Sequence, residues 1–297
     1  MSQSPIVTAL WHPLGVGGDC IVTVTAEAVV RLWELDRGNR WSFDSPAFAF
    51  DLKKLAYGKY AEDDFSPIDL KANRGFSLDG LGMEVASACF GGTGSGTESG
   101  WCSMTLWIAM KEGDVYALCP LLPSKWQPPN TLVPTLITTI AARAAIQEEE
   151  LGSLDEQRQS DAQYQWLATI DRQDPVPIIG EFGTPTEVSI YDRPSSPGPI
   201  PRLQGPFRIL PDEEDQDLEL ASIQVIASKL DMEELMDGED EYASFEEDDQ
   251  EGLSASVICL MTTSGRLHIC LDLDGVEAQW LPSKKVRLLL RSHHISC

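Results

Sequence analysis

Three times along this chain an apolar, β-branched run meets a short polar reversal and then resumes, and this repeat restricts the fold more than any other feature. The first copy, CIVTVTAEAVVRLWELD, starts at Cys20 and reverses at Thr25 to Glu27. The second, MTLWIAMKEGDVYALCPLL, starts at Met104 and reverses at Lys111 to Asp114. The third, SVICLMTTSGRLHICLDLDG, starts at Ser256 and reverses at Thr262 to Gly265. Each reads as a β-hairpin, because a reversal between runs of β-formers needs positive φ or a side-chain-bonded turn, which Gly and small polar residues supply. Hairpins with nearly all-apolar strands and connections free to grow are what propeller blades present. An all-β, WD40-like β-propeller is therefore predicted, with a β-sandwich as the second option.

The stretches between the copies differ in kind. Residues 131–173 are rich in Ala, Gln, Glu and Leu and read as two helices broken at Leu151-Gly152, with Ser153 and Glu156 fitting a capping box. This helical insertion would pack on the propeller through Leu136, Ile137, Ile140, Ile146, Leu151 and Leu154. From Arg193 to Pro211, six prolines in nineteen residues predict an extended loop. A short strand follows from Glu219, and then comes 229–252, whose self-repulsion predicts a disordered acidic loop. The organisation expected is thus first propeller blades over 1–130, the insertion at 131–173, a further blade with its Pro-rich loop at 174–228, the acidic loop at 229–252, a further blade at 253–290 and a tail at 291–297. Without the insertion, the Pro-rich loop and the acidic loop, 211 residues remain, enough for about five blades at ~40–45 residues each.

Composition narrows the function. With 22 Lys and Arg against 47 Asp and Glu the net charge is −25, so direct nucleic-acid binding, which draws on clustered cations, is disfavoured. Residues 212–251 hold 18 of the acidic side chains against the single Lys229. Seven cysteines without repeated spacing point to a reducing compartment. No secretory leader and no apolar run of about 18 residues are read, so membrane insertion is not expected. The glycines at 91–100 match no phosphate-loop spacing and are read as a connector. His268 and Cys270, with Cys259 on the facing strand, offer a metal-ligand trio, weighed against the plainer reading of core side chains. No nucleophile and base stand in a recognised pattern, and His12 reads as part of a turn after a strand. No enzyme, metal or cofactor is expected. The carboxylates Glu239, Asp240, Glu241, Glu246, Glu247, Asp248 and Asp249 are either a solvated run or a docking surface for a basic protein segment.

One motif goes further. In IVTALWHPLGVGGDCIVTVTAEAVVRLWELD a Trp11-His12-Pro13-Leu14-Gly15 turn leads into the first hairpin, which closes on Arg31-Leu32-Trp33. This segment, with the later EGDVYALCPLLP hairpin, a Trp-Gln-Pro-Pro stretch and helices, closely resembles the N-terminal propeller of the family of nucleoporin eighty-two of fungi and nucleoporin eighty-eight of animals. The resemblance implies a seven-bladed propeller acting as a non-catalytic scaffold on the cytoplasmic side of the nuclear pore, supporting messenger RNA export. It implies two partners: the autoproteolytic-type domain of a Gly-Leu-Phe-Gly nucleoporin and the tail helix of the nucleoporin that recruits the export helicase. Five blades fall short of seven, so a partial ring with open strand edges is expected. The alternative is a generic propeller adaptor in another intracellular complex.

Overall fold

The structure, a computed structural model, describes residues 4–36, 38–39, 42, 44–56, 83–92, 100–150, 154–179, 185–198, 200–208, 219–227, 256–273 and 275–281. The acidic loop at 229–252 and the tail at 291–297 lie outside them. In chain order the first elements are β1 (Ile6–Trp11), β2 (Cys20–Thr25), β3 (Val29–Glu34), β4 (Phe48–Asp51) and the short α1 (Leu52–Ala56). Next come β5 (Val85–Phe90), β6 (Leu106–Met110), β7 (Asp114–Leu118), β8 (Lys125–Trp126), α2 (Leu132–Glu150) and α3 (Leu154–Asp171). The last are β9 (Val176–Ile179), β10 (Pro185–Asp192), β11 (Leu203–Arg208), β12 (Leu220–Ile226), β13 (Ser256–Thr262) and β14 (Leu267–Asp272).

All three hairpins of the sequence are present, and they share one turn. In each, a residue with positive φ closes the reversal: Ala28 at 65°, Gly113 at 98° and Gly265 at 83°. Its N–H donates three residues back, to the carbonyls of Thr25 (3.0 Å), Met110 (3.1 Å) and Thr262 (3.0 Å). Where the turn begins with Thr, the hydroxyl adds a second clasp by accepting from the fifth residue, Val29 N–H at 3.2 Å and Arg266 N–H at 3.0 Å. Such a turn matches the right-handed twist of the strands it joins.

Each hairpin anchors an antiparallel sheet. Blade 1 has the order β1-β2-β3-β4, blade 2 the order β11-β7-β6-β5, and blade 3 the order β12-β13-β14. Blade 2 stands between the others, with β5 packed against β1 and β2 on one side and β12 on the other. Its two faces therefore carry two cores. Leu106, Ile108 and Met110 of β6 meet Val22, Val24, Val30, Leu32 and Phe50 of blade 1. The alternate residues Trp107 and Ala109 face a second core with Ile223, Val225, Ile258 and Leu260 of blade 3. This is why β6 is apolar at every position: all five of its residues are buried, and each large one contributes about 1.5–3 kcal/mol on leaving water. Backbone bonds join the blades in register. Val85 N–H donates to Ala26 O at 3.0 Å, and Leu220 N–H to Lys111 O at 2.9 Å, so each blade's first strand begins on the reversing turn of the blade before it.

Three blades, within the ceiling of about five, form an open arc among the described residues. The stretch 174–228, expected as one further blade, instead supplies strands to three sheets: β9 and β10 join β8 in a small sheet, β11 completes blade 2, and β12 opens blade 3. The extended loop expected from Arg193 to Pro211 contains strand β11. Its prolines are tolerated because β11 is the outermost strand of its sheet and its register slips between Gln204 and Phe207, around Pro206, where no ladder donor is required. Gly205 makes the slip possible, with φ at 111° and space for a Cβ only 2.8 Å from the Val115 carbonyl oxygen. Gly205→Ala is expected to lower stability by about 2 kcal/mol, through strain and displacement of β11. Urea denaturation measures it, and a change below about 0.5 kcal/mol would mean that β11 is not seated on β7.

Candidate protein-docking site

The Trp-His-Pro-Leu-Gly corner after β1 is a clamp between blades. His12 is 4% exposed, and its Nε2–H donates to the Leu121 carbonyl at 2.8 Å while Nδ1 accepts from Leu14 N–H at 3.1 Å. Its ring meets Phe90 of blade 2 edge-on at 4.8 Å. Gly15 N–H returns to His12 O at 3.0 Å, and Gln127 N–H donates to Leu14 O at 2.9 Å. A Cβ on Gly15 would lie 3.0 Å from that of Cys20, so the tight corner needs glycine. The stretch after β7, from Cys119 to Gln127, is gripped from other sides as well. Glu34 accepts from Ser124 N–H at 2.7 Å and from the Ser124 hydroxyl. Arg193 donates to Leu122 O at 3.0 Å and stacks 4.2 Å over the ring of Phe48.

Above this seam α2 and α3 close the second core. Leu136, Ile140, Trp166 and Ile170 are buried, whereas Ile137 is 52% exposed; the side chains of Ile146, Leu151 and Leu154 lie outside the described residues. Trp166 is the centre of an aromatic group, 5.3 Å from Trp101, 6.0 Å from Trp126 and 6.4 Å from Trp280 between ring centroids. Beside it the buried Gln163 donates to Glu277 at 3.0 Å and to Ala278 O at 3.2 Å. Gln159 reaches the same carboxylate at 3.3 Å, and Gln204 of β11 donates to Glu277 O at 2.7 Å. The carboxylate is thus satisfied by amides, as a buried charge must be, and one acid ties α3 to the outer strand of blade 2.

The histidine and the thiols of this seam are held in their neutral forms. His12 is held down to about 4 by burial, so it is neutral, and both ring nitrogens are engaged in structure. Burial pushes the Cys89 thiol up to about 12 and raises Cys20 and Cys119 as well, leaving no activated thiolate among them. The metal trio is excluded by strand parity. Leu260 pairs with His268 and Ile258 with Cys270, but Cys259 pairs with Ile269, so Cys259 points to the opposite face of the sheet.

The residues singled out from the sequence divide by role. His12, Leu14 and Leu32 are buried, Pro13 and Gly15 shape the corner, and Trp11 is 67% exposed. Ala9 and Trp11 pair with Thr23 and Ile21, which pair in turn with Arg31 and Trp33, so these side chains share the face of blade 1 turned away from blade 2. There Trp33 Nε1–H donates to the Thr23 hydroxyl at 2.9 Å. The acidic candidates from Glu239 to Asp249 lie outside the described residues. Sequence reasoning missed Trp166 and Glu277. The spacing Gln163, Trp166, Ile170 on one helical face was a usable signal for the first, whereas nothing local marks Glu277.

Comparison with known proteins agrees with this geometry. The family model described as the Nucleoporin NUP82 beta-propeller matches residues 1–296. Nucleoporin NUP82 of Chaetomium thermophilum is 49% identical over 294 residues, 97% of this chain and 33% of that protein. Nucleoporin nup82 of Schizosaccharomyces pombe is 24% identical over 229 residues, 73% of this chain and 24% of that protein. The chain thus spans a quarter to a third of the length of these curated relatives. Among solved structures, it matches the crystal structure of the Chaetomium thermophilum heterotrimeric Nup82 NTD, Nup159 TAIL and Nup145N APD complex with a TM-score of 0.79 and 46% identity, over 95% of this chain and 49% of that chain. The yeast heterotrimeric Nup82-Nup159-Nup116 complex matches with a TM-score of 0.58 and 16% identity, a likeness of fold alone. The chain belongs to the nucleoporin Nup82 β-propeller family.

Proposed function

We propose that this chain is a structural, non-catalytic scaffold of the nuclear pore complex that works by holding other nucleoporins. The observation that carries the reading is the match over 95% of the chain, at 46% identity, to a structure of a heterotrimeric complex of Nup82 NTD, Nup159 TAIL and Nup145N APD. A segment like that tail and a domain like that APD are accordingly the partners expected here, the tail helix and the autoproteolytic-type domain implied by the sequence resemblance. The physical picture supports this role: a preorganised body loses little conformational freedom on binding, so its contacts convert efficiently into affinity. A place on the cytoplasmic side of the pore, in support of messenger RNA export, follows from the same resemblance.

The experiment is size-exclusion chromatography with light scattering on the chain alone and mixed with each partner. A stoichiometric complex with either is the expected result. A folded chain that ignores both would overturn the assignment of partners and favour a generic propeller adaptor.

A further inference from the structure

The chain leaves blade 3 and at once returns to blade 2. After β14 the Asp272 carboxylate accepts from Gly275 N–H at 3.1 Å, and Gly275, with φ at 70°, turns the backbone toward the neck of the helical insertion. That neck is the fork where β7 and β11 part: Leu118 pairs with Leu203, whereas Cys119 leads out to the helices and Arg202 leads back from them. Residues 275–281 fill the fork as a third strand would. Gln279 N–H donates to Cys119 O at 3.0 Å, Arg202 N–H to Gln279 O at 2.8 Å and Leu281 N–H to Ile200 O at 3.3 Å, and Trp280 is bridged to Pro201.

This short run fastens three pieces together. Val276 and Ala278 are buried in the second core, Trp280 packs against it, and Leu281 packs against the first. Trp280 stands beside Trp166 of α3, and Gln159 and Gln163 of α3 donate to the Glu277 carboxylate, while Gln204 of β11 donates to the Glu277 carbonyl. β14 ends at Asp272, so only two residues separate blade 3 from the run. Blade 3 cannot swing away without drawing 275–281 out of the fork. Nor can α3 lift without stripping two amide donors from a buried carboxylate, which leaves all three groups desolvated and unpaired.

We propose that residues 275–281 are a strap, with Glu277 as its buckle, that makes blade 3 and the helical insertion open as one unit while blade 1 stays closed on blade 2. The seam between blades 1 and 2 has its own fastening at His12, whose hydrogen bonds the strap does not share. A network of this kind opens in one step, because each bond holds the others in place. For a scaffold the consequence is regulatory: a protein held on either piece shifts the strap toward its closed state and so steadies the other. That consequence rests on the scaffold reading, whereas the strap itself does not.

The test is native-state hydrogen exchange on the full chain, read amide by amide at rising urea below the unfolding transition, where exchange follows the opening equilibrium. Gln279, Arg202 and Leu281 report the strap, Leu220 the seam between blades 2 and 3, Trp166 α3, and Val85 the seam between blades 1 and 2. The first five are expected to converge on one opening with one urea slope, and Val85 to be protected at least about tenfold more. Glu277→Ala should lower all six by about tenfold or more and keep the gap, since the network it breaks is absent from both the partly and the fully open chain. His12→Gln should lower Val85 by about fivefold or more and leave the other five unchanged, because its clamp is intact when the strap is open. Strap amides that exchange through a smaller opening than Leu220 and Trp166 overturn the proposal, since the strap then frays alone. Equal protection at all six overturns it too, because the chain then opens only as a whole, and so does a fall at the first five in His12→Gln.

Discussion

Trp166→Ala should remove about 3–5 kcal/mol from the stability of this chain, a large part of the ~5–15 kcal/mol that holds a domain together. The indole is 1% exposed and lies within 6.4 Å of three other indoles, so truncation opens a cavity whose stiff aromatic walls cannot collapse into it. Ring pairs in such offset geometry add about 0.5–1.5 kcal/mol each beyond simple burial. The loss should spread unevenly, because α2 and α3 contribute little to the first core between blades 1 and 2. Circular dichroism should therefore show helix unfolding at a lower urea concentration than sheet, which separates transitions that coincide in the unaltered chain. Trp166→Phe should retain more than half of the stability. A loss below about 1 kcal/mol for Trp166→Ala would mean that the helical pair is not docked on the Trp101 and Trp126 surface.

The three hairpins were legible because everything that makes them is local: the apolar runs, the polar reversal, and glycine at two of the three positive-φ positions. Ala28 shows that a residue with a Cβ can occupy the third when the Thr25 hydroxyl holds the turn. The two helices likewise carried their signal in composition. What could not be read was pairing across distance. β11 joins β7 from the far side of α2 and α3, and its prolines argue against a strand unless its edge position is already known. The number of blades could only be bounded for the same reason, since blade 2 takes its outermost strand from beyond the two helices.

The site was legible only in part. The Trp-His-Pro-Leu-Gly segment was recognised as a unit, but its role depends on Leu121, 109 residues away, which no spacing rule could identify. The His268, Cys270 and Cys259 reading failed on parity. A facing strand alone does not put side chains on a common face, and the register that decides it follows from the turn at Thr262 to Arg266, whose left-handed Gly265 sets which residues pair. Glu277 lies in an irregular stretch, and its importance is wholly a matter of what three glutamines bring to it.

Acidification should test the clamp at His12 directly. Its neutral form is preferred down to about pH 4 in the folded chain against an ordinary 6.5, with burial as the main cause. The unfolded chain therefore binds the extra proton throughout that window, and stability must rise with pH across it. The contribution is intact above pH 6.5 and is lost progressively as pH falls, the loss reaching about 3 kcal/mol by pH 4. Protonation also places a hydrogen on Nδ1 where Leu14 N–H already points from 3.1 Å, so two donors come to face each other and the corner must open. Carboxylates titrate in the same range, and the measurement is accordingly a difference: urea stability from pH 7 to 4 for the unaltered chain and for His12→Gln, which keeps one donor and one acceptor without titrating. The unaltered chain should be the more stable at pH 7 and should lose about 3 kcal/mol more than the variant on acidification. Parallel pH profiles would show that the imidazole reaches solvent and does not bind blade 1 to the stretch that leaves blade 2. Because Leu121, its acceptor, lies on that stretch, a steep profile would identify this seam as the first part of the arc to give way in acid.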